Sequence, residues 1–260
     1  METVKYKFAA RHSLASLLGL ARLFFSHPAF AAELFRRRLD YFRTRRLEGP
    51  LLTPEGCLIE TPDMLISYWC IFVERELSHR RWVSPLQRAS QPLVVDVGAN
   101  AGIFSLFAHS LNPRARIVAF EPLPAMQGRL QALKQRTGMD FEWRPQAASD
   151  AVGEALFESP HGYDGVSRVC TDPRPSGETF RVETTTLDTV LAGREIALIK
   201  IDVEGFECQV LAGAKRTLET TQSLIIEAQN AEQIAKVTNA VGPGWQRLIL
   251  GPSDLLFYRG

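Results

Sequence analysis

The sequence has almost no charge imbalance: 30 Lys and Arg stand against 29 Asp and Glu, a formal net charge of +1. Such a balance gives no general field for nucleic acid, so none is expected as a partner. Cysteine is scarce as well. Cys57, Cys70, Cys170 and Cys208 are four in 260 residues, and no two share the close spacing of a zinc site or a redox pair. They read as reduced, structural thiols of a cytoplasmic protein. No apolar run reaches the roughly 20 residues that a membrane-spanning helix requires. A dinucleotide fingerprint is also missing: where Gly-x-Gly-x-x-Gly needs its second and third glycines, this chain has Asn100 and Ile103.

The charge that is present is unevenly placed. Residues 1–48 carry ten Lys/Arg and four Asp/Glu, a net of +6, leaving −5 for the rest. Lys5, Lys7 and Arg11 precede the apolar stretch Ser13–Phe25, and Ala29-Phe30-Ala31 imitates a cleavage site, the outline of a secretory leader. Arg22 interrupts that stretch, and residues 1–90 are expected to stay as a helical extension that caps the active site. Leu14, Leu17, Leu18, Ala21 and Phe25 recur at helical spacing, and a second, strongly basic helix follows the break at His27-Pro28. Residues 63–89 read as further helix. The expectation is that residues 10–47 pack their apolar face on their own domain and leave the arginines wet. The alternative is peripheral contact with an anionic membrane.

After Pro92 the pattern becomes strand alternating with helix, up to two short closing strands at 245–250 and 255–259. The fold class is therefore α/β, a Rossmann-like, mostly parallel sheet with helices on both faces, over residues 91–260. Ligands of such sheets bind at the carboxyl ends of the strands. Three segments lie there. Val94–Gly102 is a buried strand, a small-residue turn and a helix start, in which Gly98 and Gly102 are expected to let a ligand approach the backbone and Asp96 to accept from an ammonium or hydroxyl. Glu121, in Ala119-Phe120-Glu121-Pro122, follows at the distance where an acidic residue holds ribose hydroxyls. Lys200–Gly205 ends the fourth main strand, with Asp202 and Glu204 expected on one strand face. An ion pair to Lys200 plus a helix cap is the structural alternative for that pair. A pyrophosphate would meet the side chains of Asn100 and Ile103, whereas S-adenosylmethionine has no phosphate and carries an ammonium group. That favours methyl transfer over the hydride transfer of a Rossmann dehydrogenase.

Asp96–Gly102, Ala119–Pro122, Thr185–Asp188, Lys200–Gly205, Leu211–Ala214 and Ile225–Glu227 occur in the order and spacing of the FkbM-type methyltransferases, which the chain resembles over about residues 90–230. The resemblance implies a class I methyltransferase sheet, S-adenosylmethionine as donor, and O-methylation of a sugar, polyketide or related secondary metabolite. It implies that Asp96, Gly98, Ala99, Asn100 and Gly102 line the methionine end, that Glu121, with Pro122, holds the ribose, and that Ala148 and Ser149 lie by the adenine. Asp202, Glu204 and His161 are the candidate bases for the acceptor hydroxyl, and Asp202 also borders the cofactor. A metal-free site is expected; the variant has Asp202 and Glu227 sharing Mg²⁺. The non-enzymatic alternative is a silent cofactor-binding or membrane-surface protein.

Overall fold

A computed structural model describes residues 14–159, 168–169 and 178–259. The chain divides into two compact units, residues 1–76 and 77–260. The division precedes residue 90, where the sequence pattern changes.

The first unit contains helices α1 (Leu14–Ser26) and α2 (Pro28–Thr44), the short strands β1 (Leu51–Leu52) and β2 (Leu58–Ile59), and helix α3 (Pro62–Tyr68), which runs into a π-helical turn, Trp69–Val73. Pro28 sits in the first turn of α2, where its missing N–H costs nothing. Thr61 caps α3 by accepting from the Met64 N–H. The buried Arg38 guanidinium lies 4.1 Å over the Trp69 ring. The packing of α1 reverses the expectation from its sequence. Its buried residues are Ser16 and Gly19, and a Cβ at Gly19 would fall 1.8 Å from the Val73 carbonyl oxygen. Leu14, Leu17, Leu18 and Phe25 are exposed. The residues expected to be helical up to 89 are also interrupted, since residues 74–79 are not helical.

The second unit begins with α4 (Arg80–Arg88) and continues β3 (Leu93–Val97), α5 (Ile103–Leu111), β4 (Arg116–Phe120), α6 (Pro124–Thr137), β5 (Asp140–Arg144), β6 (Ala147–Ala148), β7 (Gly153–Ser159), β8 (Arg168–Val169), β9 (Glu178–Thr185), α7 (Leu187–Leu191), β10 (Leu198–Ile201), α8 (Glu207–Ala212), α9 (Lys215–Glu219), β11 (Ser223–Glu227), α10 (Ala231–Val241), β12 (Gln246–Ile249) and β13 (Asp254–Tyr258). Trp82 of α4 packs on Phe104 and Phe107 of α5, and Asn112 closes the end of α4 by donating to the Leu86 and Ala89 carbonyls.

The main sheet has seven strands in the order β12-β13-β11-β10-β3-β4-β5. The five from β11 to β5 are parallel, and β13 enters antiparallel to β11. This is the mostly parallel, Rossmann-like sheet expected from the sequence. Parallel strands covered on both faces are mostly apolar, and β3 and β10 are buried at every position, with one charged residue each, Asp96 and Lys200. Leu93, Val95 and Val97 join Ile199, Ile201, Leu224 and Ile226 in one core layer beneath α7, α8 and α10. The alternate residues Asp96 and Lys200 are opposite each other in register on the other face. A smaller sheet, β6-β9-β7-β8, is built mainly on the antiparallel β7/β9 pair. The chain order reverses between β3 and β10, which places the ligand crevice at their carboxyl ends.

Candidate active site

The turn after β3 is fastened to the end of β4. The Gly98 and Ala99 N–H groups both donate to the Phe120 carbonyl, and the Asn100 N–H donates to Glu121 Oε2 at 2.7 Å. Asn100 takes a left-handed φ of 49°, a conformation that asparagine tolerates better than most residues. The glycines have a different first task from the one expected of them. A Cβ at Gly98 would lie 1.9 Å from the Asp202 carbonyl oxygen, and one at Gly102 would lie 2.7 Å from Leu133. Their missing side chains make room for the chain's own β10 turn and for α6, rather than for a ligand.

Asp96 is wholly buried. Its Oδ2 accepts from Ser105 Oγ at 2.6 Å, while Oδ1 makes no hydrogen bond and faces the Lys200 ammonium at 3.8 Å. Burial raises its pKa, against the opposing pull of Lys200 and Ser105. Lys200 reaches Asp202 at 3.1 Å. Burial works against the lysine's charge, but Asp202 and Asp96 outweigh it and raise its pKa. The motif carboxylate expected to receive a ligand therefore lies under the surface and holds a lysine. Asp202, with its side chain 38 % exposed, is the open member of this charged triad.

Glu121 is also buried. Oε1 accepts from the Leu123 N–H at 2.9 Å and Oε2 from Asn100, and the Trp143 indole donates to its backbone carbonyl. Burial raises its pKa to about 7 despite the two backbone donors.

The strand rationale for the Asp202 and Glu204 pair does not hold. Strand β10 ends at Ile201, and Glu204 occupies a left-handed turn with φ 53°. The turn nevertheless brings carboxylate oxygens of Asp202, Glu204 and Glu227 within 4.8 Å of one another. Gln229 reaches both Glu204 and Glu227 at 3.5 Å. Buried Glu207, which the sequence did not single out, secures the turn by accepting from the Gly205 and Val203 N–H groups. An acidic residue in the first turn of a helix was the available signal.

Ala148 and Ser149 are buried, and Ser149 is tied to the Thr185 carbonyl. A Cβ at Gly213 would come 2.0 Å from the Ser149 carbonyl oxygen. The Thr185–Asp188 segment is architectural: Thr186 caps α7, and Asp188 accepts from the N–H and hydroxyl of Thr217. Pro122 is half-buried. His161 lies outside the described residues. A cavity of about 370 Å³, lined by Cys208, Lys215, Trp245 and Arg259 among others, holds none of the candidate cofactor-binding or catalytic residues.

The model of the methyltransferase FkbM domain matches residues 96–241, more than half of the chain. The chain belongs to the FkbM methyltransferase domain family. Three relatives illustrate its range. The FkbM domain is 40 % identical over 111 residues to AMB antimetabolite synthetase AmbE of Pseudomonas aeruginosa, covering 43 % of this chain and 5 % of that protein. It is 32 % identical over 154 residues to 31-O-demethyl-FK506 methyltransferase FkbM of Streptomyces tacrolimicus, covering 47 % and 59 %. It is 31 % identical over 174 residues to 2-O-methyltransferase NoeI of Sinorhizobium fredii, covering 59 % and 70 %. The chain thus spans a small part of the first relative and a little over half of the second.

The matched segment is a methyltransferase FkbM domain, a family whose cofactor is S-adenosylmethionine. The crevice residues suit that molecule. Glu121 is a buried carboxylate held by backbone N–H donors alone, with lone pairs to spare for a diol. Asp202 offers open negative charge. Among the described residues, the lysine of this network, Lys200, is buried beneath it and pairs with Asp96 and Asp202.

Proposed function

We propose that the FkbM domain transfers the methyl group of S-adenosylmethionine to a hydroxyl of a small or medium-sized acceptor, of the sugar or polyketide kind. The observation that carries this reading is the gathering of Asp202, Glu204 and Glu227 at the carboxyl ends of β10 and β11, beside the motif turn. When bound, the cofactor supplies an activated methyl group on a sulfonium. What the protein must add is alignment and a base for the hydroxyl proton. Glu121 binds the ribose, and Asp202, oriented by Lys200, receives the ammonium group or the acceptor. Glu204, held out of the strand by its turn, takes the proton from the acceptor oxygen. The names of two relatives, a 2-O-methyltransferase and a 31-O-demethyl-FK506 methyltransferase, support oxygen as the receiving atom.

The test is transfer of labelled methyl from S-adenosylmethionine to a panel of hydroxylated sugars and macrolides. Asp202→Asn or Glu204→Gln should lower turnover about a hundredfold, the lower end of the range for general-base help. S-adenosylhomocysteine affinity should stay nearly intact in Glu204→Gln, and in Asp202→Asn it reports whether Asp202 holds the ammonium group. Product methylated only on nitrogen or carbon would refute the reading, as would full turnover by both variants. The same three carboxylates are close enough to share a hard cation. A loss of turnover in EDTA, restored by Mg²⁺, would favour that second form.

A further inference from the structure

Helix α1 is amphipathic in the wrong sense for a helix that serves only its own unit. Leu14, Leu17, Leu18, Ala21, Phe24 and Phe25 stand at i, i+3, i+4, i+7, i+10 and i+11, which is one stripe about 120° wide at 100° per residue. All six are exposed, Phe25 at 93 % and Leu14 at 72 %. The opposite stripe, with Ser16 and Gly19, is the buried one. A contiguous exposed stripe of leucine and phenylalanine marks a surface that is covered in use.

The charges beside the stripe identify what covers it. Arg22 lies at its edge and is exposed. Arg75, which follows the π-helical turn that packs on α1, is near enough for Arg22 to add to the effect of burial in lowering its pKa. Among the described residues neither arginine has an ion-pair partner. Arg43 and Arg46, at the end of α2, are exposed, and Lys5, Lys7 and Arg11 precede α1 in the sequence. A second copy of this chain, docked about a twofold axis, would set this basic surface against itself. Anionic phosphates would relieve the repulsion between Arg22 and Arg75. With 13 residues, α1 is about 20 Å long at 1.5 Å per residue, too short to cross a hydrocarbon core of about 30 Å. Among the described residues no helix is long and apolar enough to cross a membrane.

We infer that α1 docks in the plane of an anionic phospholipid surface, its Leu and Phe stripe in the acyl boundary and Arg22 and Arg75 at the headgroup phosphates. This is independent of the acceptor and of the methyl transfer.

The experiment is co-sedimentation of the full chain with vesicles of phosphatidylcholine alone and of phosphatidylcholine with phosphatidylglycerol. The wild-type chain should partition onto the anionic vesicles, and added salt should weaken it. Phe25→Asp should reduce partitioning at least tenfold, by the magnitude of burying one large apolar side chain. Arg22→Glu should remove the preference for the anionic vesicles. Both positions are exposed, and an unchanged far-UV circular dichroism spectrum and melting curve would confirm that the variants fold. Equal partitioning of the wild type and Phe25→Asp would overturn the inference. So would a wild-type chain that ignores both vesicles but forms a dimer lost in Phe25→Asp, since the stripe would then be a self-interface.

Discussion

Changing Glu121 to Gln removes one buried charge from the crevice and leaves the shape. The charge is costly where it stands. Burial raises the Glu121 pKa from 4.5 to about 7, with Asp96 adding to the shift and backbone donors and Lys200 opposing it. In the free protein the folded state therefore keeps a proton that the unfolded chain gives up at lower pH. The stability this provides is fully present below pH 4.5 and is lost as pH rises through 7. At 1.36 kcal/mol per pH unit, the loss across that window is about 3 kcal/mol. Ribose hydroxyls donate best to the ionised form, so cofactor binding should expel the proton. Affinity for S-adenosylhomocysteine should rise with pH up to about 7 and level off above it. In Glu121→Gln the rise should vanish. Above neutrality its affinity should be at least tenfold weaker, since a hydrogen bond to a charged group contributes about 1.5–3 kcal/mol. Titration calorimetry at a series of pH values measures this directly, and buffers of different ionisation enthalpy count the released proton. If Glu121→Gln binds as tightly as wild type at pH 8, or keeps the wild-type pH profile, Glu121 is not the ribose ligand.

Two further outcomes follow from the packing. Gly98→Ala places a Cβ 1.9 Å from the Asp202 carbonyl oxygen at a φ of 77°; it should weaken cofactor binding and lower the thermal midpoint together, and a normal melting curve with normal affinity would show that the two turns slide apart freely. Lys200→Met leaves Asp96 buried without its cation and should cost about 3–5 kcal/mol in denaturant unfolding; a loss below 1 kcal/mol would mean that burial already keeps Asp96 protonated, against the pull of Ser105.

The alternation of apolar runs, turns and helices determined by itself that this chain forms a parallel α/β sheet. It also placed Asp96, Glu121 and Asp202 at strand ends, because period and punctuation are local properties. The pair of closing strands was legible for the same reason. The functional meaning of those residues depended on partners distant in sequence. Nothing near Gly98 says that the Asp202 carbonyl will press against it, 104 positions later. Asp96 reads as a ligand group until Lys200 and Ser105 enclose it. Glu204 reads as a strand residue until the chain turns left-handed at the end of β10. Thr217 carries no local pattern, and Asp188 shows only an acidic helix start, since their contact bridges segments that only the folded chain brings together. Helix α1 is the sharpest case. Its apolar spacing foretold a buried stripe, but spacing gives only the existence of a face. Which face goes inward was decided by backbone approach: Gly19, lacking a Cβ, is the residue that fits against the Val73 carbonyl, and closing that contact turns the leucines and phenylalanines outward.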